Sequence, residues 1–227
     1  MRTIYVAGVN TRKLANQASG VKHWLLSATL LRTRAGLPEW IRPHLVGRKV
    51  LWDPGTFSKN AISYASYRSW IDCWSRSMDE YLQYDEVGDP ESTAWYLKDM
   101  RRRGYDPIPV LQPSGSLKLL RELRLAIGGT VPMSKSTRRQ YLDGIFYSSQ
   151  VHPSGRVHLL GMGNPEWFEP YPAASGDSTT WIPRGPYNRQ KTVEEWLTHY
   201  GEVDIPYVRR TALQLKLFHV PGDGNAR

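Results

Sequence analysis

The apolar positions of this chain fall in short runs separated by longer amphipathic stretches. Eight of the runs read as strands, at 3–8, 23–28, 49–53, 81–87, 107–112, 123–129, 156–163 and 173–178. They are nearly continuous in apolar residues rather than alternating, which suits strands covered on both faces of a parallel sheet. The stretches between them often have helical spacing. In 89–104, Asp89 is placed as an N-cap, Pro90 as the first helical residue and Gly104 at the C-terminal end. Residues 63–81, 116–123 and 134–150 follow the same logic, and 192–200 opens on a capping box from Thr192 to Glu195. Strands alternating with helices predict an α/β fold. Eight of them within 227 residues predict a compact (β/α)8 TIM-type barrel, a single domain over 1–220 with a disordered tail at 221–227. A doubly wound sheet is the alternative. The nearest glycine-rich stretch, 161–167, lacks the third glycine of a dinucleotide fingerprint, so such a site is not expected.

Charge adds a partner class to this picture. The net charge is +9 and the pI about 9.7, as for proteins that meet a polyanion, nucleic acid first. Nine Trp and thirteen Tyr stand against four Phe. Such rings fill cores, and bases also stack on them. The one basic run, Arg101 to Arg103, either contacts a polyanion or closes the predicted helix 89–104, where cations suit the dipole. A single cysteine, Cys73, leaves no disulfide framework and no multi-cysteine zinc site, and the six histidines show no ligand spacing. No metal or other cofactor is therefore expected. The opening residues do not read as a signal peptide and no apolar run is long enough to span a membrane, so a cytoplasmic protein is expected.

In a barrel, chemistry sits where strands end. Those positions hold Asp53, Asp85, Gln112, Gly128, Gly129, Gly161, Met162, Gly163 and Asp177. Each has a plain explanation: Asp53 precedes Pro-Gly and can shape a turn, Gln112 can bond its own loop, and Asp177 can make an Asx-turn. Their joint placement at one end of successive strands is the stronger signal. Two carboxylates across a sugar can perform retaining glycosyl chemistry, one attacking the anomeric carbon and the other handling the leaving-group proton. A further carboxylate, a carboxamide and bare backbone N–H groups can read the hydrogen-bonding edge of a guanine-like base.

The stretches "WDPGTFS", "YDEVGD", "VLQPSG", "AIGG", "HLLGMGNP" and "GDSTTW" resemble, in order and approximate spacing over 49–181, the motifs of the tRNA-guanine transglycosylase superfamily. The resemblance implies that Asp177 is the nucleophile and Asp53 the general acid/base. It implies that Asp85, Gln112, Gly128 and Gly129 hold the base edge while Met162 and Gly163 wall the pocket. The implied reaction exchanges guanine for a 7-deazaguanine base, such as the 7-cyano base preQ0, through a covalent glycosyl intermediate. Members acting on tRNA carry a zinc site of three cysteines and a histidine. With only Cys73, this chain is expected to lack that zinc-binding subdomain. "GDSTTW" is more similar to the DNA-acting, DpdA-type branch of bacteria and phages. DNA is thus the expected partner, with tRNA as the alternative, and a phage-encoded member would work in the host cytoplasm. A second copy or an accessory DNA-binding protein could assist so small a chain. Phosphate contacts are expected at Arg184, Arg189 and Lys191, and at Arg138 and Arg139. Two other readings stay open: a base-excising N-glycosidase, and a nucleic-acid-binding barrel without catalysis.

Overall fold

The structure is a computed structural model, and it describes residues 3–31, 33, 37–74, 78–147, 156–163, 167, 170–179 and 182. Eight strands form one all-parallel sheet: β1 (Thr3–Ala7), β2 (His23–Ser27), β3 (Lys49–Asp53), β4 (Glu80–Tyr81), β5 (Val110–Leu111), β6 (Arg124–Ile127), β7 (Arg156–Leu159) and β8 (Ser175–Ser178). Their order is β4-β3-β2-β1-β8-β7-β6-β5, so the first and last of these eight strands lie side by side at the centre. This is an α/β fold with a curled sheet, compatible with a TIM-like architecture.

The sheet departs from the expected barrel at one place. Its two edge strands, β4 and β5, share only an isolated parallel bridge between Leu82 and Ile108. Two backbone hydrogen bonds serve it: Gln83 N–H donates to Ile108 O at 2.9 Å, and Ile108 N–H to Tyr81 O at 2.8 Å. The ladder is therefore not closed by a full strand pair. The sequence supplies the reason. Pro107 and Pro109 flank Ile108 and have no N–H to donate. The next donor, Val110 N–H, goes instead to the side-chain Oε1 of buried Gln83 at 2.9 Å. The same arrangement cuts the strand expected over 81–87 to two residues plus the bridge, and leaves Asp85 in a loop.

Among the described residues, six helices lie between the strands: α1 (Arg12–Gln17), α2 (Ala28–Leu31), α3 (Arg42–Leu45), α4 (Tyr64–Trp74), α5 (Pro90–Arg102) and α6 (Lys135–Phe146). Of these, α4 to α6 fall where the spacing predicts them. Asp89 caps α5 by accepting from Glu91 N–H and Ser92 N–H, and Ser134 caps α6 by accepting from Thr137 N–H. The stretch expected as a helix over 116–123 is a 3₁₀ turn, Leu117–Arg121. The first three helices are too short to show an apolar stripe, although Thr11 marks the start of α1. The predicted helix 192–200 and the tail 221–227 lie outside the described residues.

The run Arg101 to Arg103 closes α5 through ion pairs. Arg101 forks onto Glu122 with two bonds of 2.9 Å, while Arg102 and Arg103 meet the buried Asp99 at 2.5 and 2.7 Å. These contacts account for the run without a polyanion.

Side-chain parity sorts the strands into two faces. Tyr5, Ala7, Leu25, Leu51, Leu82, Ile108, Val110 and Ala126 pack with one another on the concave side. Their neighbours Val6, Trp24, Leu26, Val50 and Trp52 pack outward against α1 and α4, with Tyr67, Trp70 and Ile71. A second outward cluster joins Leu125, Ile127, Val157 and Leu159 to Leu142 and Ile145 of α6. Each such large side chain contributes roughly 2 kcal/mol on burial. Both faces of the strands are thus apolar, as their unalternating sequence requires. Polar residues share the concave parity as well: Thr3, His23, Lys49, Glu80, Arg124 and Arg156 at the N-terminal ends of the strands, His158 and Ser175 within, and Ser27, Asp53 and Asp177 toward the C-terminal ends.

Candidate active site

The loops and residues that follow the strands at their C-terminal ends assemble one acidic site. Asp53 is the last residue of β3 and is partly buried. Its Oδ1 accepts from Gly55 N–H, the turn expected of Asp-Pro-Gly. The carboxyl nevertheless does more than shape that turn. Burial, and then the charges of Asp85 and Asp177, push it up from 3.8 to about 7 against the opposing Gly55 bond.

Asp85 is buried, and both of its oxygens are held. Thr56 Oγ1–H donates to Oδ1 at 2.9 Å, and Gln112 Nε2–H to Oδ2 at 3.1 Å. Burial raises this carboxyl as well, and the two donors pull it back down. Gln112 is 2% exposed, and the rest of its amide is engaged in the same loop. Its Oε1 accepts from Gly88 N–H at 2.9 Å, and Nε2 also reaches Glu86 O at 3.0 Å. In this arrangement Gln112 orients Asp85 rather than pointing a donor into open space. Nearby, Gly128 N–H donates to Leu111 O at 3.0 Å. Gly129 adopts φ +68°, and a Cβ on it would lie 3.1 Å from Pro113 and 3.3 Å from Gln112.

Asp177 is 6% exposed. Gly161 N–H donates to its Oδ1 at 2.7 Å, and His158 Nε2 lies 3.2 Å from the same oxygen. None of the hydrogen bonds with described residues uses Oδ2. Gly163 N–H donates to the Asp177 carbonyl at 2.7 Å, and a Cβ on Gly163 would lie 2.7 and 2.8 Å from Asp177 C and O. Backbone atoms cannot yield as a flexible side chain can. Gly163→Ala is therefore expected to displace Asp177 and lower stability by about 1–3 kcal/mol. A fall in the urea midpoint with unchanged slope would show it, whereas wild-type stability would mean that the β7 loop shifts freely.

The other expected residues are placed as follows. Gly128 ends β6 where a Cβ would meet Val110 and Leu160 at 3.0 and 3.1 Å. Met162 is fully buried in the outward cluster of β6, β7 and α6, and Thr130 Oγ1–H reaches its sulfur at 3.5 Å. It supports the loop from behind. Arg138 holds the β6–α6 loop by donating to Thr130 O and Val131 O, and its guanidinium lies 4.8 Å from the Trp167 ring centre. Arg139 lies over the same ring at 6.0 Å. These contacts tie Arg138 to that loop, while Arg139 is exposed. Arg184, Arg189 and Lys191 lie outside the described residues. Among the described residues no cluster of three or more His, Cys, Asp or Glu could hold a metal ion, and no helix is long and apolar enough to cross a membrane.

Sequence reasoning missed His158. It set the histidines aside for lack of ligand spacing, yet the parity of β7 puts His158 on the concave side with Leu160. Thr56 was missed too, being one of several small hydroxyl residues in the loop after Asp53.

No protein-family model matches the chain, and no curated protein matches it. The fold and site define an α/β protein with an acidic centre at the C-terminal ends of a curled parallel sheet.

Proposed function

We propose that this chain is a DNA guanine transglycosylase, exchanging guanine for a 7-deazaguanine base through a covalent aspartyl-glycosyl intermediate. The observation that carries the reading is the pair Asp53 and Asp177. The two sit at strand ends of the same parity and are electrostatically coupled, but their surroundings differ. Asp53 is pushed up to about 7, a value suited to giving and taking a proton near neutrality. Asp177 has one oxygen fixed by a backbone N–H, with the other outside those contacts.

In this mechanism Asp177 Oδ2 attacks the anomeric carbon as the bond to guanine N9 breaks. The protonated Asp53 gives its proton to the departing base. The incoming base then attacks the same carbon from the vacated side, loses its proton to Asp53, and releases Asp177. Asp85, steadied by Thr56 and Gln112, accepts from N1–H and the 2-amino group, and a backbone N–H beside Gly129 donates to the 6-carbonyl. A paired guanine is out of reach, so the target nucleotide must be flipped or single-stranded, at a cost of a few kcal/mol that phosphate contacts offset.

The test is nucleoside mass spectrometry of DNA incubated with the protein and 7-cyano-7-deazaguanine. A new deazaguanine deoxynucleoside is expected. Modification of tRNA alone in a parallel reaction would move the substrate to RNA. Abasic sites without incorporation would indicate a glycosidase, in which water resolves the intermediate.

A further inference from the structure

His158 is a buried polar side chain on the concave face, in contact with Asp177, that the proposed chemistry leaves without a role. It is 4% exposed, and both ring nitrogens are engaged. Nε2 lies 3.2 Å from Asp177 Oδ1, and Nδ1 lies 2.8 Å from Ser175 Oγ. A carboxylate only accepts, so the proton of the neutral ring sits on Nε2 and Nδ1 accepts from the Ser175 hydroxyl. The arrangement is written into strand register. His158 pairs with Ser175 across β7 and β8, and Tyr5 pairs with Asp177 across β1 and β8. Tyr5 meets the imidazole edge-on, with ring centres 5.5 Å apart, and blocks it from turning away. Beneath the ring, a cavity of about 350 Å³ lined by Tyr5, His23, Lys49, Arg124, Arg156 and Ser175 opens toward the N-terminal ends of the strands. His158 is thus the partition between this cavity and the carboxylate above it.

We propose that His158 is a positioning residue for the nucleophile. Together with Gly161 N–H it fixes Oδ1 of Asp177, so that Oδ2 is the oxygen presented to the sugar. Ser175 in turn fixes the tautomer of His158. The reactive oxygen is then set by two donors on separate supports, one backbone and one side chain. An unfixed carboxylate would rotate about its last torsion and present either oxygen, and reacting groups displaced by about 1 Å lose about a hundredfold in rate.

The proposal rests on the transglycosylase reading for its kinetic consequence, and the experiment separates the two. In the first arm, two-bond 1H–15N correlation spectra of wild type are expected to show the Nε2-protonated tautomer of His158, and Asp177→Asn is expected to shift its ring resonances. An Nδ1-protonated ring, or resonances indifferent to Asp177→Asn, would overturn the proposal without any turnover being needed. In the second arm, His158→Leu is expected to lower kcat about a hundredfold while KM for the incoming base moves less than about threefold. His158→Gln, whose amide N–H can reach the Nε2 position, is expected to recover most of that loss. Equal kcat in wild type and a folded His158→Leu would overturn the proposal, as would a His158→Gln variant no better than leucine. If His158→Leu does not fold, the glutamine variant and the spectra decide. Should wild type show the bond but no exchange, the function falls and the fixed carboxylate stands.

Discussion

Asp177→Ala is expected to lower base exchange by at least about a thousandfold in kcat, the scale seen when a covalent nucleophile is removed. It is also expected to eliminate the protein–DNA adduct that the proposed mechanism predicts for wild type when the incoming base is withheld. The adduct is read on a denaturing gel, and the rate from incorporated deazaguanine. The alanine variant loses stability as well, because His158 Nε2 is left buried without its partner, at about 1–3 kcal/mol. Asp177→Asn separates the two effects. Its amide oxygen can still accept from Gly161 N–H, so its unfolding midpoint should lie near that of wild type, while the neutral amide cannot form the glycosyl ester. Exchange by the asparagine variant at more than about one per cent of the wild-type rate would mean that Asp177 is structural only.

The second large effect concerns Asp53, and it runs in opposite directions for activity and stability. Folding raises this carboxyl from 3.8 to about 7, chiefly by burial and then by the charge of Asp85. The unfolded chain releases the proton near 3.8, and the folded chain holds it until about 7. Over that window the folded state binds more protons than the unfolded state, so its stability is greatest at the acid end and declines as pH rises through 7. The loss is on the order of 2–4 kcal/mol, allowing for the partial exposure of the side chain to water. Asp53→Asn cannot ionise. At pH 8 it is expected to be more stable than wild type by about 2 kcal/mol, and near pH 4 to be no more stable. Its exchange rate is expected to fall about a hundredfold or more with loss of the acid/base group. In wild type, kcat/KM for DNA should decline tenfold per pH unit above about 7, and that limb should be missing in Asp53→Asn. Parallel urea titrations at the two pH values and a pH–rate profile test both halves. An asparagine variant less stable than wild type at pH 8 would show that the carboxyl is not raised by folding.

Much of this arrangement was legible in the chain. The strand ends carrying Asp53, Asp177, Gly128 and Gly129 were visible because near-continuous apolar runs stop abruptly at polar or glycine residues, and six of the eight runs begin and end within three residues of the strands observed. Asp85 and Gln112 were visible as types, but their partnership was not, since it depends on a loop that folds Gly88 N–H back onto the Gln112 side chain. Strand parity would have exposed His158, had Leu51 and Ala126 first been known to face inward. The seam between β4 and β5 was written in "DPIPV", where two prolines bracket a single usable donor, and a hydrophobicity pattern does not register missing N–H groups. The role of Arg138 was hidden for the opposite reason: a basic residue after a predicted strand looks available, and only the loop carbonyls show where its guanidinium goes.

That seam has a mechanical meaning. A sheet opens most readily where the fewest hydrogen bonds must break, and here only two of the bonds between the edges are backbone to backbone, the others running through the side chains of Tyr81, Gln83 and Gln112. Asp85 rides on the loop just beyond one edge, and Gln112 directly follows the other. Parting of the edges is therefore resisted by their own 3.1 Å bond, which lies across the opening like a latch. A ligand gripped by Asp85 on one side and by the backbone of β6 on the other would close the same gap. Binding there and completion of the cylinder would then be one event, with the ligand of the proposed function serving as the missing staple.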